Sequence, residues 1–138
     1  MNKIKIAMIV AKPGHLRNAL QSLLRTVPQI EILAESNDLS ILRKMNENLH
    51  PDLILVDGGL IADDDWSALI KIKEDRPATK VLVLTENDKQ GLSAREAGAD
   101  FYLLKGFRAS ELAKLIETSL IQDPQDETIS SIRNPGKI

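Results

Sequence analysis

Five short apolar runs recur along the chain, each followed by a stretch in which apolar residues return at helical spacing. The runs occupy 4–10 (IKIAMIV), 30–34 (IEILA), 53–56 (LILV), 81–84 (VLVL) and 101–104 (FYLL). Runs of this length, rich in Ile, Val and Leu and bounded by polar or turn residues, predict strands. Between and after them, Leu16, Leu20, Leu23, Leu24 and Val27, then Leu39, Leu42, Met45 and Leu49, then Trp66, Leu69, Ile70 and Ile72, and finally Leu112, Leu115, Ile116 and Leu120 are spaced as the inner faces of helices. A further helix over 89–97 is predicted on a thin apolar face of Leu92, Ala94 and Ala97. Boundary signals agree: Asn37 and Asp38 precede the second helix, Asp65 stands as an N-cap before Trp66, Asn87 and Asp88 precede the fourth helix, and Gly98 follows it as a C-cap.

The pattern is (βα)5, an α/β chain with a parallel sheet, right-handed crossovers and helices on both faces, which makes a three-layer sandwich. Strands one, three, four and five are apolar nearly throughout, as strands covered on both faces are, whereas strand two alternates with Glu31 and Glu35 and reads as an edge. An edge second strand fits the flavodoxin-like order 2-1-3-4-5, whose crevice lies at the carboxyl ends of strands one and three. At 138 residues the chain suits one domain, and with aromatics at only 3% its core must be built from Leu, Ile, Val and Ala. That domain is expected over 1–121. The polar remainder, 122–138, carries Pro124 and Pro135 and reads as linker or disorder, either a free C-terminus or the start of a linker to an output domain.

Several function classes are set aside by composition. The chain has no cysteine, which removes disulfides, zinc-thiolate sites and cysteine nucleophiles, and His15 and His50 show no ligand spacing. A formal net charge of −2 provides no basic footprint for nucleic acid or an anionic membrane. The first apolar run is too short for a signal peptide, so a cytoplasmic location is expected. No glycine-rich phosphate loop follows strand one and no general base is paired with a nucleophile, which argues against an enzyme or nucleotide binder.

The strand ends hold the chemistry. Ala11 and Lys12 end strand one, Asp57 strand three, Thr85 strand four and Lys105 strand five, and all five are expected to converge on one crevice. An acid, a hydroxyl and an amine at neighbouring strand ends suit a phosphorylated carboxylate, with Asp57 as nucleophile and Thr85 and Lys105 as donors to the phosphoryl oxygens. The stretches PDLILVDGG, KVLVLTEND and AGADFYLLKG resemble the CheY-like receiver domain of bacterial response regulators, over about residues 3–121. The resemblance implies a phosphoacceptor at Asp57, charged by a histidine kinase or phosphotransfer protein, a switch hydroxyl at Thr85, the family's lysine at Lys105 and a switch aromatic at Tyr102. It also implies that helix four, strand five and helix five form the face for a protein partner or a second copy. The YLLKG wording is closest to receivers joined to helix-turn-helix DNA-binding domains. From the residues alone, Thr85 equally reads as a turn cap, and Tyr102 as an edge residue with its hydroxyl in water.

Strand one departs from that family. Receivers end it with two adjacent acids which, with the phosphoacceptor and a backbone carbonyl, hold Mg²⁺; here Ala11 and Lys12 replace the pair, leaving Asp57 and the Gly59 carbonyl. A lysine about 6 Å from a divalent cation at an effective dielectric of about 20 repels it by roughly 5 kcal/mol. Lys12 is instead expected to point at Asp57 and close the site as an ion pair. Asp63, Asp64 and Asp65 either reach back toward the crevice or, better, charge and cap the start of the third helix. Gly58 and Gly59 either open the backbone amides to an anion or simply make the turn. Two functions follow: a phosphoacceptor receiver in a two-component pathway, or a pseudo-receiver that kept the fold as a protein-interaction module.

Overall fold

The computed structural model describes residues 4–45 and 49–121, and the predicted polar tail lies outside the described residues. The strands are β1 (Lys5–Val10), β2 (Ile30–Ser36), β3 (Leu53–Asp57), β4 (Lys80–Thr85) and β5 (Phe101–Leu104). The helices are α1 (His15–Thr26), α2 (Ser40–Lys44), α3 (Ser67–Asp75), α4 (Asp88–Glu96) and α5 (Ala109–Ile116). The strands form one parallel sheet in the order β2-β1-β3-β4-β5, as the edge character of strand two predicts.

Strand alternation divides the core between the two faces. Met8, Val10, Ile54, Val56, Val81 and Val83 point to one face, where Leu42 of α2, Leu69 and Ile72 of α3 and Ala94 of α4 cover them. Ala7, Ile9, Leu53, Leu55, Leu82 and Leu84 point to the other, beneath Leu20 and Leu24 of α1 and Leu112 and Ile116 of α5. Trp66 is buried in the first layer, packing the start of α3 onto the sheet. On the β2 edge the register steps from Ala7 opposite Ile32 to Met8 opposite Ala34, so Leu33 bulges out of the ladder and is half exposed.

Some expectations change at the helices. The second helix stops at Lys44, with Met45 already extended at ψ 131°, and Leu49 packs on the core from beyond the helix; Asn46 and Asn48 follow it in sequence and are weak helix formers. Asp65 is not the N-cap itself: Trp66 holds that position, and Asp65 accepts from the Ser67 N–H at 3.0 Å. Leu92 does not belong to the buried face of α4, being 58% exposed, while Gly91 and Ala94 face inward. At α2 the N-cap is Leu39, with Asp38 accepting from the Ser40 N–H at 2.8 Å, whereas the caps of α4 form as read. Asn87 accepts from the Gln90 N–H at 2.8 Å, and Gly98, at φ 111°, lets its own N–H reach the Arg95 carbonyl and the Ala99 N–H reach that of Ala94, closing the helix as a Schellman motif.

Candidate functional site

Parallel pairing brings the strand ends level. Val10 lies opposite Val56, Asp57 opposite Leu84, and Thr85 opposite Leu104, so Ala11, Asp57, Thr85 and Lys105 emerge side by side at one rim. Asp57 Oδ1 takes the Lys105 ammonium at 2.6 Å and the Gly59 N–H at 2.7 Å. The Gly59 bond folds the chain into a 3-10 turn, Gly58–Leu60, directly after the acid. Lys105 Nζ also donates to Glu86 Oε2 at 2.5 Å. Partial burial alone would lower the Lys105 ammonium, but its hydrogen bonds to Asp57 and Glu86 outweigh it and raise the group above the ordinary lysine value. It is therefore charged at neutral pH.

Thr85 is fully buried, and its Oγ1 has no hydrogen-bond partner among the described residues. The cap of α4 is Asn87, so the turn-cap reading of Thr85 is removed. Tyr102 lies half-buried with its ring against α4, where a Cβ on Gly91 would come within 2.2 Å of Cε1; its hydroxyl stands 3.5 Å from Asp88 Oδ1.

The expected convergence is incomplete. The Ala11 side chain is 1% exposed and packs with the α1 and α5 core, and Lys12 is exposed in the turn after β1 with no ion pair among the described residues. The cation on Asp57 is Lys105, reaching in from β5, and not Lys12. Two of the loop acids face the third helix: Asp64 accepts from Trp66 Nε1 at 2.6 Å, and Asp65 from the first turn of α3, whose Ser67 bonds hold its carboxyl below the usual range; Asp63 is exposed. His15 is exposed at the first turn of α1.

Residues 7–117 match the family model of the response regulator receiver domain. The chain belongs to that family. The "Response regulator protein VraR" of Staphylococcus aureus (strain Mu3) is 37% identical over 103 residues, which is 72% of this chain and 49% of the relative. That of Staphylococcus epidermidis is 34% identical over 128 residues, covering 88% and 60%. The chain thus spans about half the length of the S. aureus relative. In fold, this receiver superposes on a two-component response regulator of the LuxR family from Aurantimonas sp. with a TM-score of 0.75 at 24% identity, covering 95% of this chain and 99% of the other. A LuxR family DNA-binding response regulator from Silicibacter pomeroyi gives 0.70 at 22% identity, over 85% and 92%.

The residues of this receiver do not fit the divalent cation its family implies. Among the described residues no three acidic or imidazole side chains come together as a cation site. The second carboxylate near Asp57 is Glu86, and the Lys105 ammonium stands between the two. Two residues escaped the reading of the sequence. Glu86 is one, adjacent to Thr85 in KVLVLTEND but outside the motif's usual chemistry. Arg17 is the other: its guanidinium binds the carbonyls of Ala11 and Ser36 and, at 2.7 Å, Asn37 Oδ1, tying the ends of β1 and β2 together. A basic residue in the first turns of α1 was the only signal for it. No helix among the described residues is long and apolar enough to cross a membrane.

Proposed function

We propose that this receiver acts in two-component signalling as a protein-interaction module that does not depend on Mg²⁺-assisted phosphorylation of Asp57. The observation that carries this reading is the Lys105 ammonium held between Asp57 and Glu86, with Ala11 turned into the core and Lys12 outward. Phosphoryl transfer to a carboxylate brings two anions together and relies on a metal to offset their repulsion; this site offers no donor set for one. In this reading the module is non-enzymatic and cytoplasmic. It binds its partner through α4, β5 and α5, where Leu92 and Leu104 are exposed beside Tyr102. The greater length of the relatives, and the DNA-binding and LuxR descriptions of two fold neighbours, support a DNA-binding domain as the output it controls.

A phosphoacceptor role is the second reading, favoured by the buried, unpartnered Thr85 hydroxyl beside Asp57, since a hydroxyl so placed is suited to a phosphoryl oxygen. Incubation with acetyl phosphate and Mg²⁺ followed by intact-mass measurement separates them. The expected result is unchanged mass; a gain of one phosphoryl group that disappears in Asp57→Ala would establish the second reading and end the first.

A further inference from the structure

Around Lys105 the charges do not balance. One ammonium faces the carboxylates of Asp57 and Glu86, so the cluster carries about one net negative charge at neutral pH. Glu86 is half exposed, yet its place is set from several sides. Its N–H donates to Gln90 Oε1 at 3.0 Å, and Gln90 Nε2 donates to the Gly58 carbonyl at 3.0 Å, so one amide side chain bolts the loop after β4 to the turn after Asp57. Gly59 leaves the space that the carboxylate overhangs, for a Cβ there would lie 3.1 Å from both Glu86 Oε2 and Asp57 Oδ1 and 3.3 Å from Lys105 Nζ.

The geometry points to Glu86 as an internal counter-anion that closes the Asp57 crevice by occupying the Lys105 ammonium. An incoming oxyanion of the phosphate class needs that donor, and meets in its place a carboxylate already bound to it. The inference rests on reading the crevice as a receiver site, and it assigns the exclusion of oxyanions to a residue outside the strand-one pair. Glu86 is thus a positioning and blocking residue.

The test is a titration of the full chain with inorganic phosphate in metal-free buffer without a phosphodonor, following the backbone amide signals of Gly59, Thr85 and Lys105 by ¹H–¹⁵N correlation. Glu86→Gln, which keeps the shape and removes the charge, and Glu86→Ala are each expected to bring half-saturation to about tenfold lower phosphate than the native chain, the scale of removing one nearby charge at a partly exposed site. Adding Lys105→Met to Glu86→Gln is expected to abolish the gain. The proposal is overturned if Glu86→Gln, with an otherwise native spectrum, responds as the native chain does, or if its gain survives Lys105→Met. Should Glu86→Ala not fold, the isosteric variant carries the test alone. With neither metal nor phosphodonor present, the outcome is independent of whether Asp57 can be phosphorylated: a mass adduct would end the metal-independent reading and leave this one standing.

Discussion

Arg17 and Lys105 do related work at the same rim, each a cation spanning two strand ends, and only one of them was visible in the sequence. Lys105 lies in a motif, whereas Arg17 is one of two arginines on α1, and its partners are mainly backbone carbonyls that carry no residue-type signal. The choice between Lys12 and Lys105 as the partner of Asp57 was likewise illegible, because it depends on where each side chain leaves the rim. Arg17 is 13% exposed at the side chain and serves Ala11, Ser36 and Asn37 in addition to a looser pairing with Glu35 at 3.8 Å. Replacing it leaves the part-buried Ala11 carbonyl without its donor, while the Ser36 carbonyl keeps the Ala11 N–H, so Arg17→Met is expected to lower stability by about 1–2 kcal/mol, measured by urea unfolding. Arg17→Lys, a point charge without the planar fork, should restore less than half of that loss. A loss below about 0.5 kcal/mol in the Met variant, the scale of an ordinary surface change, would show that the clamp is not a structural tie.

Among the elements, α4 was the hardest to read, and its packing explains why. Helices usually approach a sheet on large aliphatic side chains, which produce the periodic signal, but α4 comes in on Gly91 and Ala94 while Leu92 points outward. The small residues make room for the Tyr102 ring. The interlock predicts a reversal of sign. In an exposed helix, Gly→Ala is stabilising by about 0.5–1 kcal/mol, whereas at Gly91 the new methyl would overlap the ring and cost about 1–3 kcal/mol. In a Tyr102→Ala background the same substitution should become stabilising. Urea unfolding of the four proteins in the cycle checks this, and equal effects in both backgrounds would disprove the interlock. The strands were the most legible elements, each predicted to within two residues, because burial on both faces imposes continuous aliphatic runs that few other structures need.

For the molecule as a whole, the metal question becomes one of stability. A cation bound only to the folded chain raises its melting temperature by mass action. The native chain is expected to show no shift in about 10 mM Mg²⁺, whereas Ala11→Asp/Lys12→Asp, with acids returned to the strand end, should melt lower without metal because Ala11 is buried, and regain a few degrees with it. A Mg²⁺-dependent rise in the native chain, followed by scanning calorimetry, would overturn the misfit described for the site. Strand order was legible at this scale from a single contrast, the glutamates of strand two against the apolar runs elsewhere; the bulge at Leu33 was not, since an extra residue in a strand leaves no mark in composition. Its consequence extends beyond this one chain. An open strand edge is a template on which another chain can extend the ladder, but Leu33 puts the β2 edge out of step partway along, so an added strand finds matching partners on one side of the bulge only. Growth by sheet extension from the β2 edge is thereby blunted, which leaves β5 as the edge of the sheet with an unbroken register.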